Sequence, residues 1–271
     1  MRMNSQLKYP MKTSYLLYFP LVALCASMSA GVIVSESFEG LVTDNLNGTS
    51  ADVFDAGITG VTGNWVAATQ YNADGSLAAS SGNGAAFLDL GDYINDSRGT
   101  ANGIFTLQVT MEITAGNANG EWVSFGFLKT GISAGETFYD DAEGYGTSLL
   151  RADDPEGNNN YYVGPGTTGS NSDPGILSGV QTFTVILDLS SWDGASERGN
   201  ISFSRDGGTT TDFYYDFGGN PDFRYIGFTE RSVVGATLSN LTLTQVPEPS
   251  AYALVAGLLG FSAVALQRRR C

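Results

Sequence analysis

Phe105, Leu107, Val109, Met111 and Ile113 alternate strictly with Thr106, Gln108, Thr110, Glu112 and Thr114. A period of two sends the apolar set to one face of an extended chain and the polar set to the other, which predicts a half-buried strand. The same alternation runs through 123–127, 183–189 and 201–204. Segments 85–90, 147–151, 213–217, 224–229 and 236–244 carry strand composition, and 32–38 supplies a first strand. Between them stand turn formers: Asp74-Gly75, Gly82-Asn83-Gly84, Asp193-Gly194, Asp206-Gly207-Gly208 and Gly218-Gly219-Asn220-Pro221. No segment away from the termini shows a helical period. The pattern predicts an all-β chain, a two-sheet antiparallel β-sandwich. A propeller or solenoid would need a fixed repeat, and none is present.

Both ends depart from this pattern. Lys12 precedes the apolar run 15–24 and the small-residue zone 25–31, which reads as a signal peptide cleaved after Ala30 or one residue earlier, with Met1 or Met11 as its start. The run is too short for a stable membrane span. At the other end Pro247, Glu248 and Pro249 keep the chain extended. An uncharged stretch 251–266 and the cluster Arg268, Arg269 and Arg270 follow, and the arginines hold that end on the cytoplasmic side. The organisation expected is 1–30 signal peptide, 31–245 sandwich and 246–271 tail.

Taken alone, the tail is a hydrophobic anchor. The Val246-Pro247-Glu248-Pro249-Ser250 motif, the apolar run with Ala256, Gly257 and Gly260, and the terminal arginines together resemble the PEP-CTERM sorting signal. The resemblance implies Sec export, transient insertion of a C-terminal helix in the inner membrane, and processing by an exosortase. Pro247, Glu248 and Pro249 would then be recognition residues and Arg268, Arg269 and Arg270 the membrane stop. It further implies delivery to the cell surface or extracellular matrix of a Gram-negative-type bacterium, in an exopolysaccharide or biofilm setting.

Charge and composition narrow the chemistry. Residues 31–246 hold 27 acidic and 7 basic side chains, a net of −20, which repels nucleic acid and anionic lipid. Histidine is absent and the two cysteines, Cys25 and Cys271, lie in the terminal segments. The sandwich therefore has no disulfide, no Cys/His zinc site and no Ser-His-Asp or Cys-His catalytic unit.

Three places resemble a concanavalin-like or laminin-G-like jelly roll: Glu36-Ser37-Phe38-Glu39-Gly40, the strand and turn 201–208, and the closing pair 225–228 and 236–243. Such sandwiches host both carbohydrate-binding modules and polysaccharide hydrolases. The resemblance implies a non-catalytic module that binds polysaccharide or another surface component. The alternative is a carbohydrate-active enzyme, a glycoside hydrolase or lyase. In the concanavalin-like hydrolases the acids follow a Glu-x-Asp-x-x-Glu pattern on one strand. The run is missing here, and the acids of 136–143 sit among glycines.

No cofactor is required, and calcium is the one ion the composition suits. Asp153, Asp154, Glu156 and Asn158 crowd oxygen ligands into six residues, and Asp89, Asp92 and Asp96 surround Gly91. Either loop reads as a calcium site or as a solvated acidic loop. Tyr161 and Tyr162, with Tyr139 and Tyr145, read as loop aromatics that either stack on sugar rings or cover the sandwich edge.

Overall fold

A computed structural model describes residues 30–41, 43–76, 83–113, 122–129, 132–138, 144–151, 159–164, 167–168, 179–193, 198–208, 211–216, 223–231 and 236–246. The strands are β1 Gly31–Glu36, β2 Val53–Phe54, β3 Trp65–Ala67, β4 Gly84–Asp89, β5 Ile104–Ile113, β6 Trp122–Lys129, β7 Gly144–Tyr145, β8 Thr147–Leu149, β9 Asn160–Gly164, β10 Thr167–Thr168, β11 Val180–Asp188, β12 Arg198–Arg205, β13 Thr211–Asp216, β14 Phe223–Arg231 and β15 Ala236–Gln245. One four-residue helix, α1 Tyr93–Asp96, breaks the all-strand expectation.

Pairing is antiparallel throughout. A seven-stranded sheet runs β13-β12-β11-β5-β15-β1-β2, a five-stranded sheet runs β3-β4-β14-β6-β7, and a small third sheet runs β10-β9-β8. The chain crosses between the two large sheets at β2 to β3, β4 to β5, β5 to β6, β13 to β14 and β14 to β15. These crossings set sequence neighbours such as β4 and β5 or β14 and β15 in opposite sheets, while β11, β12 and β13 pair in sequence order, and the two sheets together form a jelly-roll sandwich.

The alternating pattern of β5 is realised: Phe105, Leu107, Val109, Met111 and Ile113 are all buried. They meet Phe183, Val185 and Leu187 of β11 on one side and Leu238, Leu241 and Leu243 of β15 on the other. In β15 the spacing of leucines changes parity at Ser239-Asn240, and a β-bulge lies there, between Leu238 and Asn240. The extra residue returns the following leucines to the core face. A register shift in β1 does the same for Ile33 and Val34, so both are buried. From the opposite sheet come Ala86 and Leu88, Phe125 and Phe127, and Ile226 and Phe228. Each fully buried side chain of this size stabilises the fold by about 1.5–3 kcal/mol.

The outer face of the five-stranded sheet is covered. Ala85, Phe87 and Leu128 pack with Phe138 and Ile132 from 132–138, and that segment is tied down by a bond from the Ala85 amide to the Ala134 carbonyl, 2.9 Å. The outer face of the seven-stranded sheet is built differently.

Candidate functional site

Three features concentrate polar chemistry. The first lies where the domain begins and ends. Gly31 is the register partner of Gln245, so the first residue of β1 and the last of β15 are neighbours at one end of the seven-stranded sheet. The Gln245 amide is fixed on every side it offers. Its Oε1 accepts from the Tyr93 hydroxyl at 2.8 Å, and its Nε2 donates to Ser97 Oγ at 3.0 Å and to the Asn102 carbonyl at 2.8 Å. These residues, with Gly57, Thr59, Leu90, Asp92 and Asp96, line a cleft of about 400 Å³. Burial and the neighbouring Asp55 raise the Tyr93 phenol, so it stays a hydrogen-bond donor at neutral pH.

The second is a pair of buried carboxyls. Glu36 is 6% exposed and Glu230 1% exposed. Burial raises Glu36, repulsion from Asp52 adds to this, and hydrogen bonds from the Trp65 indole (2.9 Å) and the Phe38 amide (3.0 Å) oppose it. Glu230 is pushed up to about 8 by burial, and its Oε1 has no hydrogen-bond partner. Between the two acids stand Trp65, Phe228 and Tyr71, with ring centroids 5.4 and 5.2 Å apart. The Tyr71 hydroxyl donates to the Gly84 carbonyl and accepts from the Glu230 amide. Sequence parity held a signal for Glu230, which follows Ile226 and Phe228 at a period of two.

The third is the outer face of the seven-stranded sheet. Register places Ser204, Thr184, Gln108 and Thr242 in one row across β12, β11, β5 and β15. Ser202, Ile186, Thr106 and Thr244 form the next row, and Thr182, Thr110 and Asn240 a third. Gln108 and Asn240 are exposed, Ser202 is buried, and the others are partly buried. Thr110 and Thr182 hydroxyls lie 2.9 Å apart, Gln108 Nε2 donates to Thr184 Oγ1 at 3.3 Å, and Thr242 Oγ1 donates to Asn240 Oδ1 at 2.8 Å. Not one of these eleven positions is charged.

The expected site residues fare unequally. Tyr161 and Tyr162 are not loop aromatics: they sit on β9 and are 5% and 6% exposed. Tyr161 stacks on Phe203 at 4.5 Å and 14°, and burial pushes its hydroxyl up to about 12. Tyr162 packs with Trp122 and Leu149. Two adjacent aromatics on a strand point to opposite faces, and both faces here are covered, so neither ring is offered to a sugar. Tyr145, on β7, is buried against Phe223.

Asp89 is held by Arg224 through two 3.0 Å bonds, and Asp92 and Asp96 are exposed on the cleft. Among the described residues no three His, Cys, Asp or Glu side chains come together as a metal site, so the grouping around Gly91 is not assembled. Asp153, Asp154, Glu156, Asn158 and Tyr139 lie outside the described residues, as do Pro247, Glu248, Pro249 and Arg268, Arg269 and Arg270. Among the described residues no helix is long and apolar enough to cross a membrane.

The class defined by this geometry is an antiparallel jelly-roll β-sandwich. No protein-family model matches the chain, and no curated protein sequence does. Solved structures similar to it include the carbohydrate recognition domain of Emp47p, at 14% identity and TM-score 0.42, covering 80% of this chain and 97% of that one. The exoplasmic/lumenal domain of VIP36 in its Ca2+/Man3GlcNAc-bound form matches at 11% identity and TM-score 0.39, covering 69% and 86%. A human SPRY domain matches at 14% and 0.36, covering 60% and 89%. The fold assignment rests on this chain's own strand pairing.

Proposed function

We propose that the chain is an exported cell-surface or matrix protein whose sandwich binds polysaccharide without acting on it, and whose tail is read and removed by an exosortase after Sec export. The observation that carries the export reading is the pairing of Gly31 with Gln245. A signal peptide ending at Ala30 and a tail starting at Val246 both attach at the same end of the sheet, beyond the last paired residues of β1 and β15, so both can be removed without taking away a paired strand. Val246, the last described residue, is held by a 3.0 Å bond from its amide to the Ile104 carbonyl.

The placement of the acids supports a non-catalytic role. A general acid needs a raised pKa and must reach the substrate. Glu36 and Glu230, the carboxyls that burial raises, lie within the core and touch no solvent-filled cleft that the structure describes. Polysaccharide retention with no release of reducing sugar is the expected outcome for the purified protein. Release of reducing sugar would replace this reading with that of a carbohydrate-active enzyme.

A further inference from the structure

We propose that the outer face of the seven-stranded sheet is the binding surface, and that its occupant is an uncharged, hydroxyl-rich polysaccharide; this rests on the reading of the sandwich as a polysaccharide-binding module. Charge narrows the occupant first. The domain carries a net of −20, so an anionic polymer is repelled as it approaches, while a cationic partner is drawn to the acidic loops instead. Across β12, β11, β5 and β15 these three rows carry no charge, and the second meets one only at Asp212 on the edge strand β13, which leaves an uncharged occupant as the electrostatic match for the centre of the face.

The eleven described positions also lack what a protein partner uses. Interface energy concentrates in aromatic and arginine anchors. Ile186, the one large apolar side chain among the eleven, is partly buried, and the exposed Val32, Val53 and Val180 at the margins of the face are neither aromatic nor arginine. What the face offers is hydroxyls and amides. Each hydroxyl provides one donor and two acceptor positions. The bonds between Thr110 and Thr182 and from Gln108 to Thr184 occupy part of that capacity and hold the side chains in place. A row of four strands spans about 14 Å at the usual strand spacing, room for several sugar units. The five-stranded sheet offers no such surface because 132–138 covers it.

With single hydrogen bonds contributing modestly in water, binding at one register is weak and retention depends on many registers along the polymer. Contacts between neutral groups are insensitive to salt.

The test uses the full chain in mild detergent, applied to resins carrying β-glucan, xylan, galactomannan, dextran or the anionic polymer alginate. Retention on at least one neutral resin that survives about 0.5 M NaCl is expected, with none on alginate. The paired substitution Thr184→Glu with Thr242→Glu flanks Gln108 with charge, and should weaken retention by about tenfold or more. The pair Thr184→Ala with Thr242→Ala removes the hydroxyls alone and should also weaken it, which keeps the test valid if the charged pair unfolds. Asp92→Asn with Asp96→Asn alters the cleft and should leave retention unchanged. Retention that ignores both face pairs, or is lost with the cleft pair, overturns the face as the site while the binding reading stands. Equal retention on alginate overturns the uncharged occupant. No retention on any neutral resin overturns the binding reading itself.

Discussion

Glu230 has its charge state set by the fold. An ordinary glutamate near 4.5 is ionised at neutral pH, but inside this core the carboxyl is pushed up to about 8. Below about pH 4.5 both folded and unfolded forms keep the proton, and burial carries no titration cost. As the pH rises from 4.5 to 8 the unfolded chain releases its proton while the folded chain holds it, so stability is lost across that window and the loss levels off above it. Glu230→Gln keeps the shape and removes the titration. Urea unfolding at pH 5 and pH 8 should show the wild type losing on the order of 3 kcal/mol more than the variant. Repulsion within the acidic domain weakens both proteins alike and cancels in that comparison. Equal losses in the two proteins would mean that Glu230 is ionised in the folded state. The parity it shares with Ile226 and Phe228 is the one local mark of this residue, and Thr229-Glu230-Arg231 otherwise reads as the polar end of a strand. Its surroundings come from Tyr71, whose hydroxyl accepts from its amide, and from Gly84 and Val123, which flank it in the sheet, all distant in sequence.

The strands of the central sandwich depend on close backbone approach at a few points. Gly227 on β14 lies between Phe87 of β4 and Gly126 of β6. A Cβ there would collide with the Ala86 carbonyl oxygen and with Phe87. Gly227→Ala should cost about 1–3 kcal/mol, read as a lowered melting temperature. Gly135→Ala, where an added Cβ meets nothing within 4 Å, should leave melting nearly unchanged and serves as the control. A Gly227→Ala protein that melts with the wild type would show the two strands to be looser than this packing requires.

Element legibility follows the strength of the alternation. The 105–114 pattern lies one residue from the observed Ile104–Ile113, and the 236–244 pattern shares its start with Ala236–Gln245. The pairs and triplets Val53–Phe54, Trp65–Ala67 and Gly144–Tyr145 are too short to show a period, and partners distant in sequence make them strands. Asn160–Gly164 puts Tyr161 and Tyr162 side by side among Asn and Gly, which reads as loop. Only the pairing with β8 and the stacking on Phe203 turn it into a buried strand. The candidate face was legible as the polar half of each alternating pattern. Its assembly into rows depends on the β15–β5–β11–β12 order, which no single strand records.

At the scale of the whole molecule, acidity and the paired ends govern behaviour. Calcium should raise the melting temperature through the oxygen-rich stretch Asp153, Asp154, Glu156 and Asn158. An ion at about 100 times its Kd adds about 2.7 kcal/mol if it binds only the folded form. Any salt also screens a net charge of −20, so magnesium at matched ionic strength is the control, its tighter octahedral shell suiting such a loop less well. Equal stabilisation by both ions would leave screening as the whole effect. Calcium-specific stabilisation should vanish in Asp153→Asn with Asp154→Asn and persist in Asp92→Asn with Asp96→Asn.

Export with trimming of both termini, at the end of the sheet where Gly31 meets Gln245, is the central proposal. Intact-mass analysis of the protein recovered from the surface or medium of its exporting cell tests it most directly. The predicted mass corresponds to a chain that starts near Gly31 and ends near Pro247-Glu248-Pro249. A mature protein still carrying Arg268, Arg269 and Arg270 would make the tail a permanent anchor and contradict the account.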